Sequence, residues 1–133
     1  MFLYRFQFRG EIMNFEKTKE YYEQLSSSDL CQCAYCKNYI KEIRKWYPLV
    51  AKYLENIGVD IEKPFETMPS KPDEKQNVEY IAVQYLVFGD IGDLKKVIIS
   101  GVNIDITELH PSTDIKDNHF VIEIFPIILK WVM

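Results

Sequence analysis

All three cysteines of the chain fall in one short stretch, Cys31, Gln32, Cys33, Ala34, Tyr35 and Cys36. Cys33 and Cys36 have the two-residue spacing at which two thiolates can reach one ion at about 2.3 Å, as in a zinc knuckle. A structural zinc takes four ligands, and no second pair of that spacing exists. Cys31, His110, His119 or a carboxylate would have to complete the set. The expected site is therefore Cys33 and Cys36 with His110, and Cys31 or a carboxylate as the fourth ligand. Its role would be structural, because four protein ligands leave no position open for water.

Two other chemistries compete for the same residues. A dithiol at a helix start gains thiolate character from the helix N-terminus, which would make Cys33 and Cys36 a thiol-dependent oxidoreductase pair. Redox motifs of this kind follow a buried strand in a βαβ unit, whereas here the preceding residues Ser26, Ser27, Ser28 and Asp29 read as a polar loop. The third reading is packing alone, with the thiols as small apolar side chains at the head of a helix. All three readings stay open at the level of sequence.

The second concentration of reactive types runs from His110 through Ser112 and Asp114 to His119. It bridges two expected strands. Setting Ile106 opposite Ile122 and Ile104 opposite Ile124 keeps one sheet face apolar, and that register places His110 on the apolar side and His119 on the other. The two imidazoles are thus expected in different places, with His110 the better ligand. A hydrolytic triad from Ser112, Asp114 and a histidine lacks a nucleophile elbow and an oxyanion loop. Asp105 and Glu123 read as solvated carboxylates on adjacent strands. Nucleotide-binding and metalloprotease motifs are absent.

The elements that must position these groups are legible from periodicity. Asn14 suits an N-cap for a helix over 15–26. Cys36, Tyr39, Ile40, Ile43, Trp46 and Tyr47 recur at helical spacing, and Pro48 breaks the run so that a further helix begins there and stops at Gly58. Residues 59–77 carry three prolines and no sustained period, which reads as a connection. Strands are expected over 78–88, over 97–109 with a bend at Ser100 and Gly101, over 119–125 and, after Pro126, over 127–132. Helices first and an antiparallel meander afterwards give an α+β fold, with N-terminal helices on one face of a sheet of three to four strands.

Composition bounds the partners. At 133 residues, with 47% hydrophobic and 27% charged residues, residues 13–133 suit a single globular domain. A net charge of −4 offers no long-range attraction to nucleic acid or anionic lipid. Lys37, Lys41, Arg44, Lys45 and Lys52 form the one basic stretch, but Glu42 and Glu55 interleave with them and the set reads as a solvated helix face. Three clustered cysteines make a poor disulfide framework and favour the cytoplasm. Residues 1–12 alternate apolar and polar positions like an extra strand, yet could equally be a leader before a start at Met13. The near-uncharged final strand, as a sheet edge, favours a homodimer.

Cys33-Ala-Tyr-Cys36, the run from Gly58 to Pro64, the run from Gln84 to Gly89, and the His110-Pro-Ser-Thr and His119-Phe-Val-Ile-Glu segments together resemble a family of short uncharacterised bacterial proteins, chiefly Gram-positive. The resemblance covers residues 14–133. It implies a bacterial cytoplasmic protein and carries over no activity, cofactor, partner or catalytic residue. The resulting expectation is a binding or structural module with a structural zinc site, and the rival is the Cys33/Cys36 oxidoreductase.

Overall fold

The computed structural model describes residues 13–133, so the leader-or-strand question for 1–12 lies outside the described residues. Three helices come first: α1 (Phe15–Gln24), α2 (Ala34–Trp46) and α3 (Pro48–Asn56). Asn14 caps α1, its side-chain oxygen accepting the Lys17 N–H at 3.0 Å. The polar stretch that follows is a 3-10 turn, Ser27–Asp29, closed by a reciprocal cap in which the Ser26 N–H donates to the Asp29 carboxylate at 2.8 Å. α2 starts from Cys33 and ends at Tyr47, and Pro48 occupies the first turn of α3, where its missing N–H forfeits no helical bond. Gly58 ends α3 at φ +90°, and a Cβ there would lie 2.9 Å from the Phe15 carbonyl oxygen. Glycine is thus required twice over, by the backbone conformation and by the close approach of α1.

The strands are β1 (Glu66–Pro69), β2 (Asn77–Phe88), β3 (Val97–Ile99), β4 (Val102–Thr107), β5 (His119–Phe125) and β6 (Ile127–Lys130). Every pairing is antiparallel, in the order β1-β2-β5-β4-β3, with β6 beside the first half of β2 and β5 beside the second. The α+β class holds, but the sheet has six strands among the described residues rather than three to four. One extra strand, β1, sits inside the 59–77 connection; four residues ending on a proline carry no readable period. The other arises because Ser100 and Gly101 do not bend a strand. With φ of 53° and 77° they form a tight hairpin turn that folds β3 back on β4, Ile99 opposite Val102. Two successive positive φ values match the right-handed twist of paired strands.

The core lies between the helices and the sheet. Tyr39, Ile43, Val50 and Leu54 from α2 and α3 are fully buried with Tyr85, Ile122 and Ile124. Ile104 stands opposite Ile124 and Ile106 opposite Ile122, as the apolar alternation requires. Along β2 the inward side changes phase: Val78 and Tyr80 face the core in the first half, Val83, Tyr85 and Val87 in the second. The change falls opposite Pro126, which has no N–H to donate and separates β5 from β6. Leu86, Phe88 and Gln84 on the alternate positions are buried too, so β2 is central in fact as well as in composition.

Among the described residues, two stretches of sheet edge are closed by side chains rather than by strands. Beyond the end of β1, the Tyr22 hydroxyl of α1 donates to the Leu86 carbonyl at 2.7 Å and accepts the Leu86 N–H at 2.9 Å. Thr18 Oγ1 accepts the Phe88 N–H at 3.0 Å. On the outer side of β6, the Tyr47 hydroxyl treats Ile128 in the same way, at 3.3 and 3.1 Å, and Asn38 holds the Lys130 carbonyl and the Val132 N–H. Four of the outward backbone groups of this last segment, the Ile128 N–H and C=O, the Lys130 C=O and the Val132 N–H, are thus bonded within the chain. No helix among the described residues is long and apolar enough to cross a membrane.

Candidate metal centre

The local fold of the cysteine segment follows from the turn before it and the helix after it. The capped turn Ser27–Asp29 delivers Leu30 in extended conformation, and Gln32 folds back so that its side-chain amide donates to the Ser27 and Leu30 carbonyls at 2.6 and 3.0 Å. Cys33 then serves as the N-cap of α2, which places Cys36 three residues on, in the first turn. The outcome is a group of three thiols whose sulfurs all lie within 4.8 Å of one another, with Cys31 and Cys33 at 3.3 Å. None is in a disulfide. Thiolates on a tetrahedral zinc at 2.3 Å sit about 3.8 Å apart, so the trio could hold a metal ion with sub-ångström adjustment.

Burial separates the three. Cys31 and Cys33 are exposed, whereas Cys36 is buried with its sulfur 3.4 Å from the Thr67 hydroxyl of β1. The Cys33 sulfur makes no full cap hydrogen bond, but attraction from the Cys36 backbone N–H lowers its pKa below the ordinary thiol value, with the neighbouring thiols adding to the effect. Burial pushes the Cys36 thiol the other way, up to about 12. Beside the trio is a cavity of about 330 Å³, walled on its apolar side by Tyr21, Leu25, Leu30, Phe65 and Leu86. Lys63 also reaches it, with its ammonium bonded to the Tyr22 and Leu25 carbonyls at the end of α1.

The structure thus brings together Cys31, Cys33 and Cys36 and leaves His110 outside the group. β4 ends at Thr107, so His110 belongs to the following loop; it is exposed, its Nδ1 lies 2.8 Å from the Pro111 carbonyl, and its ring stands edge-on to Phe65 at 6.5 Å. His119 is held by Thr113 Oγ1 at Nε2 and by the Asp117 carbonyl at Nδ1. Ser112 bonds Asp114, while each histidine is engaged elsewhere, so no triad is assembled. Asp105 stands opposite Glu123, with Asp105 turned to the Ile106 N–H and Glu123 to Gln84. Thr67, Phe65 and Tyr21 are parts of the site that sequence reasoning missed. The first two sit on or beside β1, whose recognition would have placed Thr67, by alternation, on the helix side of the sheet.

Compared with known proteins, the chain matches no family model, no curated protein and no solved structure.

Proposed function

We propose that the protein is a small binding module whose cysteine trio, Cys31, Cys33 and Cys36, holds one metal ion. Zinc is the ion we assign, because thiolate donors at this spacing suit it and it needs no redox partner. The single observation that supports this reading is the convergence of three sulfurs from a six-residue segment onto one point at the head of α2. A bound ion would fasten the exposed segment before α2 to the buried first turn of that helix, and through Cys36 to β1. On the resemblance noted above we place the protein in the bacterial cytoplasm, where reducing conditions keep the thiols free. Purified without chelator, the protein should carry near-stoichiometric zinc, and Cys31→Ser, Cys33→Ser and Cys36→Ser should each weaken its retention. Metal contents equal to background in wild type would remove the reading.

A second reading, thiol–disulfide exchange by Cys33 and Cys36, is favoured by a specific contrast. Cys33 is exposed at the N-cap and Cys36 is buried beneath it, which is the division of labour between an attacking and a resolving thiol. In that reaction the Cys33 thiolate attacks a disulfide RSSR, releasing RS⁻. Cys36 then gives up its proton and displaces the second RS⁻, leaving a Cys33–Cys36 disulfide and two reduced thiols. Incubation with a disulfide buffer should then yield an oxidised form lighter by two hydrogens in which peptide mapping finds Cys33 joined to Cys36, and Cys31→Ser should form it equally well. A wild-type chain that stays fully reduced, or that forms only mixed disulfides, would exclude it.

A further inference from the structure

The three thiols all border the cavity of about 330 Å³, and among the described residues no fourth histidine, cysteine or carboxylate joins them within 4.8 Å. Of the carboxylates nearby, Asp29 is bound to the Ser26 N–H and hydroxyl at 2.8 and 3.1 Å. Glu66, which pairs with Gln84 on β2, borders the cavity as Asp29 does, but neither carboxylate joins the three sulfurs within 4.8 Å. His110 is turned to its own loop. Residues 1–12 contain neither cysteine nor histidine. A zinc with three protein ligands has an open position, which in such sites is taken by water or by a substrate.

We propose that the metal held by Cys31, Cys33 and Cys36 keeps its fourth coordination position open toward the cavity, and that this position takes a small thiol with an apolar body. This rests on the metal reading of the preceding section and changes its consequence, because the site then becomes a ligand-binding site rather than a purely structural clamp. The donor is inferred from softness, since a fourth thiolate matches the other three. The body is inferred from the walls: Leu25, Leu30, Phe65 and Leu86 offer apolar contact beside Asp29 and Glu66, and the one ammonium among the described residues that reaches the cavity, Lys63, is already bonded to two carbonyls. A volume of about 330 Å³ is at the small end of ligand pockets.

The test uses the full chain loaded with Co(II), whose thiolate charge-transfer and ligand-field bands report the donor set. Phenylmethanethiol is titrated in, with 2-mercaptoethanol as a thiol lacking the apolar body and benzyl alcohol as the body lacking the thiol. The expected result is a saturable change of the bands with phenylmethanethiol, at concentrations at least tenfold lower than with 2-mercaptoethanol, and no change with benzyl alcohol. Phe65→Ala should retain the cobalt and weaken the phenylmethanethiol response several-fold. Bands that form but ignore both thiols, a thiol that strips the metal, or cobalt lost on Asp29→Asn, Glu66→Gln or His110→Ala would overturn the open position while leaving the metal reading intact. An absence of thiolate charge-transfer bands with cobalt would overturn the metal reading itself, and this proposal with it.

Discussion

Replacing Tyr22 with phenylalanine removes one oxygen and strands two backbone groups. Tyr22 is 3% exposed, and its hydroxyl is the partner of both the N–H and the C=O of Leu86, at 2.9 and 2.7 Å, beyond the Glu66 end of β1, where no strand among the described residues covers that side of β2. A buried polar group left unpaired costs about 1–3 kcal/mol. Two such groups on a strand buried this deeply put the loss at about 3 kcal/mol, or roughly 12 °C in melting temperature for a domain of this size. Burial raises the Tyr22 pKa well above its ordinary value, so the hydroxyl keeps its proton and the loss should not vary across neutral and mildly alkaline pH. Tyr47→Phe is the matched control: the same pair of bonds to Ile128 is exposed, water can replace the hydroxyl, and the cost should stay below about 1 kcal/mol. Urea unfolding followed by the fluorescence of Trp46 and Trp131 measures both, with an unchanged slope expected. Equal losses for the two variants, or a Tyr22→Phe loss under about 0.5 kcal/mol, would refute the claim that α1 closes this edge.

Other substitutions and conditions probe the remaining elements. Gly58→Ala must hold φ +90° and push a methyl to 2.9 Å from the Phe15 carbonyl oxygen, so thermal melting should show a loss of about 2 kcal/mol or more. Tyr47→Phe frees the Ile128 groups on the outer edge of β6, and light scattering at rising concentration should reveal more self-association than in wild type. Metal binding should strengthen with pH, because Cys36, with its pKa pushed to about 12, is protonated at neutrality in the metal-free chain and must release that proton. Competition titrations should show about a tenfold change in affinity per pH unit for each proton displaced. In the metal-free protein the same raised pKa acts in the opposite sense on stability: its contribution is present below the ordinary thiol range and is lost as pH climbs from there toward 12.

Legibility in the sequence tracked the length and regularity of each element. α2 and α3 announced themselves because Tyr39, Ile43, Val50 and Leu54 recur at helical spacing and because a proline can occupy only a first turn without cost. The β4–β5 register agrees with alternation, since a one-residue slip would turn Ile104 and Ile106, or Ile122 and Ile124, away from the core. β1 left no such trace. Its place is set by what it pairs with on β2, and Phe65 and Thr67 acquire their roles only through that pairing. Ser100 misled because a serine in positive φ is set by the hairpin around it rather than by its own preference. For the site, the cysteine spacing was informative and the choice of partner was not: placing His110 by extrapolating a strand register failed to anticipate that β4 stops at Thr107. The proximity of Cys31 to the pair depends on the capped turn at Ser27–Asp29, a conformation that the polar run permitted without specifying.

Thiol counting on the native protein before and after chelation tests the central claim most directly. With one zinc bound by Cys31, Cys33 and Cys36, a mild thiol reagent should find little to react with in protein purified without chelator. After chelation the exposed Cys31 and Cys33 should titrate at once and the buried Cys36 more slowly, with one equivalent of zinc recovered in the chelate. Two thiols that titrate immediately in the untreated protein, with no zinc recovered and no change on adding a chelator, would contradict the metal site and leave the cysteines to packing or to redox chemistry.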